Sequence, residues 1–491
     1  MSKSTGYRTA LKSTSIFGGV QVIRIVINLV RFKLVAILLG PFGFGIISMY
    51  NTIITFVQSL SSLGLANSAV RDISVIGSEK PDKRNLVVSA IYKWFVATGV
   101  IGMVVMIGLS SIICKISFDN YEYTVPIMLL SVCVLFQTIN NGDLAVIQGF
   151  RDLKSLAKVN IAGSLIGLIV SIPFFYFFAE KGIIPSLILS SLVMVIFSNF
   201  FLRKLDFTFE KQSLREIYKL GKSTARLGIM LSISAIAVSL VEFIVKAFIT
   251  RYSSTEIVGL YQAGWTINAS YVGVVLTAMG TDYFPRLSEA SGNGDETRSI
   301  VTEQTEIALI ILAPIICIMI TFLPFIIQIL YTKDFLSIVP MTRIMLLGSF
   351  FKASSWAISY MFLAKGDGKR FLMNELVINL ISLLSMIILF YYFSLEGIGL
   401  AFTLNYLIYF IMVYLVAKKK YNFTYTVSFW KLLGKYSAIA MIIFTIFEIF
   451  DYNLYTYIAG CFVSVFMMIV VYHDLNSRMN ISSIIQKILK K

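Results

Sequence analysis

Residues 14–39 read TSIFGGVQVIRIVINLVRFKLVAILL, a run of 26 residues whose charged members are Arg24, Arg31 and Lys33, with no acid. About 20 apolar residues carry a helix across a hydrocarbon core roughly 30 Å thick, so this run reads as a membrane span. It also reads as an unusual one. A basic group at mid-membrane costs roughly 2.5–3.5 kcal/mol on the insertion scale, and span one carries three of them.

The rest of the chain repeats the pattern. Of its 491 residues 57% are hydrophobic and 14% charged, against about a quarter charged in a soluble domain. We read spans at about 14–39, 45–68, 90–114, 124–147, 157–178, 183–202, 223–249, 258–282, 306–330, 338–363, 372–393, 397–417, 436–450 and 454–472, the thirteenth with a start that could lie nearer Trp430. The fold expected is therefore an all-α integral membrane protein with about fourteen transmembrane helices. Residues 1–13 are basic and no small-residue cleavage site follows the first run, so no cleavable signal is expected.

Loop charge tests the count. With the N-terminus inside, the cytoplasmic segments hold 30 Lys and Arg, while the opposite loops hold only Lys115, Lys181, Arg251 and Lys333. This is the asymmetry of the positive-inside rule, and it puts both termini in the cytoplasm. The net charge of +16 is then mostly orientation signal and attraction to anionic lipid. No soluble basic face exists to bind nucleic acid.

A weak internal repeat divides the chain. Glu180-Lys181-Gly182-Ile183 returns as Leu395-Glu396-Gly397-Ile398, offset by 215. Gly45 and Tyr50 are echoed by Gly259 and Tyr261, and Gly64 before Arg71 by Gly280 before Arg286. Gln148–Asp152 with Lys154 is echoed by Gly366–Arg370. Six spans separate the copies, an even number, which gives them the same orientation, as in transporters built from parallel repeats. The expected domains are a six-helix bundle at 1–206, an amphipathic cytoplasmic linker at 207–222, a second six-helix bundle at 223–420, an appended two-helix hairpin at 421–474 and a basic tail at 475–491. Gly221-Lys222-Ser223 in the linker is a fragment of a phosphate-binding loop, but Glu216 stands where that motif needs glycine.

Eight bases remain in or near spans. Lys93, Arg226 and Arg343 sit near span ends and read as snorkelling to the interface. Arg24, Arg31, Lys33, Lys246 and Lys352 lie deeper. Glu242 and Lys246 are four apart and could pair on one helix face. Arg31 and Lys246 are themselves 215 apart, and Lys352 has Gln137 as its counterpart. A water-filled cavity lined by these cations would attract a polyanion, a phosphate or diphosphate above all. Nothing in the chain suggests catalysis. His473 stands alone at a membrane boundary, the four cysteines have no metal spacing, and Asp143 and Glu242 are read as lone acids in the spans. The protein is expected to be a transporter, not an enzyme.

Four motifs, taken in order, resemble a known family: Leu39-Gly40-Pro41-Phe42-Gly43-Phe44-Gly45, Gln148-Gly149-Phe150-Arg151-Asp152, Val258-Gly259-Leu260-Tyr261-Gln262 and Tyr283-Phe284-Pro285-Arg286-Leu287-Ser288. They look like those of the Wzx-type O-antigen and polysaccharide flippases of the MOP superfamily, over roughly residues 10–420. The resemblance implies two helical bundles, a cationic central cavity and alternating access. It implies as substrate an undecaprenyl-diphosphate-linked oligosaccharide moved from the cytoplasmic to the periplasmic leaflet of the bacterial inner membrane. Arg24, Lys33, Lys246 and Lys352 fall where such flippases tend to carry bases, and Arg31 is added from the internal repeat. Many of these flippases stop at twelve spans. Fourteen resembles the lipid II flippases, so a lipid II flippase or a MATE-type drug or cation antiporter is the alternative. A membrane glycan polymerase would need a sizeable periplasmic loop, and the longest here is about ten residues. No cofactor is expected. Glu242 and Asp143 are the candidates for H⁺ or Na⁺ coupling, and the partners expected are the lipid-linked glycan, the bilayer and the polysaccharide polymerase machinery, with the chain itself a monomer.

Overall fold

The computed structural model describes residues 3–62, 64–76, 81–210, 214–450 and 453–479, and of these all side chains but those of 3–22, 25, 67, 153, 214–231, 281 and 478–479. The helices are α1 (Lys3–Ser62), α2 (Leu65–Ile76), α3 (Pro81–Phe118), α4 (Thr124–Gly149), α5 (Leu153–Phe178), α6 (Ile183–Leu202) and α7 (Leu214–Tyr252). They continue as α8 (Thr255–Asn268), α9 (Val274–Glu289), α10 (Gly294–Leu330), α11 (Val339–Ala364), α12 (Gly368–Tyr421), α13 (Val427–Ile449) and α14 (Leu454–Met479). No strand occurs among the described residues. The all-helical membrane architecture expected from the sequence is the one observed.

Ten stretches of the described residues are long and apolar enough to cross a membrane. Three of them, Val26–Ser62, Lys154–Leu202 and Gly368–Tyr421, run to 37, 49 and 54 residues, well beyond the roughly 20 that one crossing takes. Each is interrupted by a residue in a left-handed or related conformation: Gly40 (φ 61°), Ala179 (φ 47°) and Ser394 (φ 50°). Side chains such as Ile169, Phe177 and Tyr392 stand 64%, 74% and 71% exposed, a level of bare apolar surface that suits lipid and not water.

The internal repeat is written into the backbone. α4 and α11 begin 215 residues apart and end 215 residues apart. Arg151 (φ 59°) and Gly366 (φ 72°) both take positive φ, and Asp152 and Asp367, which follow them, stand at the N-caps of α5 and α12. Ala179 and Ser394 are also 215 apart, with ψ of −127° and −134°. Three residues on, Gly182 and Gly397 each back onto a carbonyl eight residues earlier. A Cβ would lie 2.2 Å from the Phe174 oxygen in the first and 2.0 Å from the Leu389 oxygen in the second. Both connections therefore need glycine for the same steric reason.

The chain forms two compact units, Met1–Gln262 with Leu330–Asp334 and Ala263–Ile329 with Phe335–Lys491. In the first, α2, α3, α4 and α6 share a core built on Leu65, Ile73, Ile91, Phe95, Val146 and Leu202. Within it Gly45 and Gly259 meet backbone to backbone: a Cβ on Gly259 would lie 2.0 Å from the Pro41 oxygen, and one on Gly45 1.9 Å from the Thr255 oxygen. Ser48 Oγ donates to Gln262 Oε1 at 3.1 Å. These are again residues one repeat apart, here face to face. In the second unit the α13–α14 hairpin is clipped by Asp474, which takes the Lys435 ammonium and, at 2.7 Å, the Tyr436 hydroxyl.

The stretch expected as a separate linker helix is divided. Residues 207–210 have no regular secondary structure and are held to α3, where Asn85 Nδ2 donates to Thr208 Oγ1 at 3.1 Å and the Glu210 amide donates to Ser89 Oγ at 2.9 Å. Residues 211–213 lie outside the described residues, and 214–222 are the opening turns of α7. Of the tail, 475–479 finish α14 and 480–491 lie outside the described residues.

Candidate functional site

The first unit holds four of the five deep bases. Arg24 and Arg31 sit seven apart on α1, a spacing that puts them on one face. Both are half-buried, and the buried Arg24 Nε has no hydrogen-bond partner among the described residues. The Arg31 guanidinium lies along α5: a Cβ added to Gly167 would lie 3.5 Å from its Nη1. No acidic side chain among the described residues pairs with either. Lys33 is held differently. Its Nζ donates to the backbone carbonyl of Tyr331, whose ring stands edge-on to Phe44 at 5.6 Å.

Lys246 is 2% exposed and paired. Its ammonium donates to Glu242 Oε1 at 2.6 Å and to Thr52 Oγ1 at 2.7 Å, and Thr52 Oγ1 in turn approaches the same carboxylate oxygen at 3.4 Å. The Glu242 side chain is 43% exposed. The geometry joins α1 to α7, and the pair anticipated from the four-residue spacing is formed.

Asp143, on α4, is fully buried. Ser198 of α6 donates to its Oδ2 at 2.6 Å, and Oδ1 has no hydrogen-bond partner among the described residues. The sequence reading of Asp143 and Glu242 as the lone acids of the spans needs correcting, because it passed over Glu375 of α12. That carboxylate accepts the Tyr409 hydroxyl, which is linked in turn to Ser359 Oγ at 2.8 Å. An acid within an apolar run was visible in the sequence, and its position 215 residues after Asn160 was the available signal.

Lys352 belongs to the second unit. It is half-buried on α11, with its ammonium 5.7 Å from the Phe402 ring centre and 5.4 Å from that of Tyr406, within cation–π range. No acidic side chain among the described residues pairs with it. It opens on a cleft of about 630 Å³ between α11 and the segment from Gly273 to Pro285. A π-helical turn, Ala269–Gly273, leads into that segment; such turns often sit at functional sites.

Arg343 corrects a second expectation. Read as a snorkelling residue near a span end, it is fully buried. Its Nε donates to the Ile320 carbonyl at 3.0 Å, and the guanidinium lies 4.4 Å from the Phe447 ring centre. The appended hairpin carries that ring, on α13. Lys93 stays near the surface and donates to the Glu210 carbonyl at 3.4 Å; the side chain of Arg226 lies outside the described residues.

The lipid III flippases of Escherichia coli (strain K12) and Shigella flexneri are each 20% identical over 386 residues, covering 77% of this chain and 91% of their own. Among solved structures, an inward-facing multidrug resistance MATE family transporter of the MOP superfamily superposes with a TM-score of 0.72 at 17% identity, over 81% of this chain and 94% of its own. The lipid II flippase MurJ, in an inward closed conformation, superposes with a TM-score of 0.68 at 15% identity, over 94% and 98%. These relatives are flippases and transporters, and the helical fold is theirs. The sequence profile of the polysaccharide biosynthesis protein family matches residues 34–340, and the chain belongs to that family.

Proposed function

We propose that this protein is a flippase that moves an undecaprenyl-diphosphate-linked oligosaccharide, an O-antigen or related surface-polysaccharide repeat unit, from the cytoplasmic to the periplasmic leaflet by alternating access. The observation that carries the reading is the set of half-buried bases without acidic partners among the described residues, Arg24, Arg31 and Lys352, in a member of a polysaccharide biosynthesis family. Such cations are expensive in a membrane unless an anion or water meets them. A diphosphate is a suitable anion, because arginine forks bind its oxygens in pairs. Lys33 and Lys246 complete the proposed set in a supporting sense, the first through its carbonyl contact and the second through Glu242.

In this reading the chain crosses the bacterial inner membrane fourteen times, with both ends in the cytoplasm. The three overlong helical stretches cross twice each, and the α8–α9 segment crosses once. Asp143 is the better placed group for H⁺ or Na⁺ coupling, because Glu242 is engaged by Lys246 while Asp143 keeps one oxygen free of hydrogen bonds. A lipid II substrate is the second reading, favoured by the superposition of the lipid II flippase over 94% of this chain.

Transport of fluorescently labelled lipid-linked glycan in proteoliposomes, with and without pH and Na⁺ gradients, tests the proposal. Wild-type protein should move the labelled lipid, and Arg24→Glu or Lys352→Glu should abolish movement at normal expression. Export that survives either charge reversal would overturn the mechanism. Competition between oligosaccharide-bearing lipid and lipid II separates the two substrates.

A further inference from the structure

The cleft beside Lys352 has a regularity that a diphosphate site does not require. Lys352, Trp356 and Tyr360 follow one another at four-residue intervals on α11, and each is half-exposed where the residues between them, from Ala353 to Ser355 and from Ala357 to Ser359, are buried. Helical rise places the two rings about 6 Å and about 12 Å along the axis from the base. Opposite them the wall is thin: Gly273, Thr277 and Gly280 face the rings with small side chains or none. A Cβ on Gly280 would already lie 3.2 Å from Trp356 Cζ2.

The rings are held in place by the end of that same wall. Trp356 packs on Tyr283 at 5.4 Å and on Tyr360 at 5.1 Å between ring centres, and Phe284 stands edge-on to Tyr360 at 5.8 Å. Tyr283 is fixed in its turn by donating its hydroxyl to the Ala357 carbonyl at 2.7 Å. Here Trp356 and Tyr360 border an open cleft of about 630 Å³, room for roughly two sugar rings beside a phosphate.

We propose that Trp356 and Tyr360 form a stacking platform for the first sugars of the lipid-linked glycan, counted outward from the diphosphate held by Lys352. The inference rests on the flippase reading and deepens it. Aliphatic C–H groups on a pyranose face meet the electron-rich face of an aromatic ring favourably, so the platform selects for a sugar next to the charge without requiring a charged sugar. The prefixed ring stack means little ordering cost on binding.

The test uses the full-length protein in nanodiscs, titrated with undecaprenyl diphosphate and with undecaprenyl diphosphate bearing a short oligosaccharide. Wild-type protein should bind the glycosylated lipid more tightly. Trp356→Ala should weaken binding of the glycosylated lipid about fivefold to tenfold and leave the bare lipid unchanged. Trp356→Phe, which keeps a ring on the stack, should retain most of the difference, and Gly280→Leu, which fills the cleft, should erase it. Lys352→Gln should weaken both lipids. If Trp356→Ala weakens both lipids alike, or neither, the platform is wrong and the flippase reading stands. If wild-type protein binds neither lipid, the flippase reading itself falls, and the platform with it.

Discussion

Replacing Glu242 with glutamine removes a charge and leaves a buried ammonium behind. Lys246 is 2% exposed, and its ammonium is held by Glu242 Oε1 at 2.6 Å and Thr52 Oγ1 at 2.7 Å. Breaking a fully buried ion pair from one side costs about 3–5 kcal/mol, because the surviving charge is stranded. Glu242 is 43% exposed, so water screens part of the attraction, and the expected loss falls to roughly 2–3 kcal/mol. For a domain of this size 1 kcal/mol moves a melting midpoint by about 2–4 °C, which sets the drop for E242Q at roughly 5–10 °C. The assay is thermal unfolding of detergent-purified protein, followed by tryptophan fluorescence. The double variant E242Q/K246M removes both charges and should recover most of the midpoint, since a neutral pair of similar shape strands nothing. A melting point for E242Q equal to wild type, or a double variant as unstable as the single one, would refute the reasoning. Transport by the stable double variant then shows whether the pair also acts in flipping: loss of transport in a well-folded protein assigns the Glu242–Lys246 pair that second role.

Gly259→Ala should destabilise the first unit by about 1–3 kcal/mol, since its Cβ would fall 2.0 Å from a backbone oxygen that cannot move aside; the same melts read it. Arg343→Ala removes a buried hydrogen bond to Ile320 and the contact with Phe447, and should cost about 3 kcal/mol. Asp143→Asn can still accept from Ser198 but cannot lose a proton; if Asp143 couples transport, this variant should flip lipid at a rate insensitive to a pH gradient, as measured in proteoliposomes. At the loop after α3, the hydrogen bond from Lys115 and the nearby Arg251 hold the Asp119 carboxyl below its usual range. A carboxylate with a lowered folded pKa stabilises above its unfolded value, about 3.9, and loses that contribution as pH falls through the folded one. The midpoint difference between wild type and Asp119→Asn should therefore be present at pH 7 and shrink as pH falls below about 3.9.

Much of the fold is legible in residues that obey simple local rules. Apolar runs set the helices, and the repeat of small residues and turns at a steady offset is reproduced angle for angle at Ala179 and Ser394. The steric demand of a backbone is local, and Gly182 and Gly397 show it directly: each lies against a carbonyl eight residues away. The Glu242–Lys246 pair was legible for the same reason, since four residues on a helix are neighbours in space.

The fate of the other bases was not local. Sequence spacing makes Arg343 a residue near a span end, but the neighbour that seals it, Phe447, is 104 residues away on the hairpin. Lys33 finds its carbonyl in a residue 298 positions on. The sequence by itself determined that this is a helical membrane protein with repeated halves and with more positive charge at depth than its acids can offset, because hydropathy, charge and helical periodicity are properties of short segments. Only the tertiary structure decided which of those charges are spent on the protein and which are left over, because a buried cation is satisfied by whatever side chain or carbonyl the packing brings to it. Lys246, Lys33 and Arg343 are engaged by the fold; Arg24, Arg31 and Lys352 have no acidic partner among the described residues.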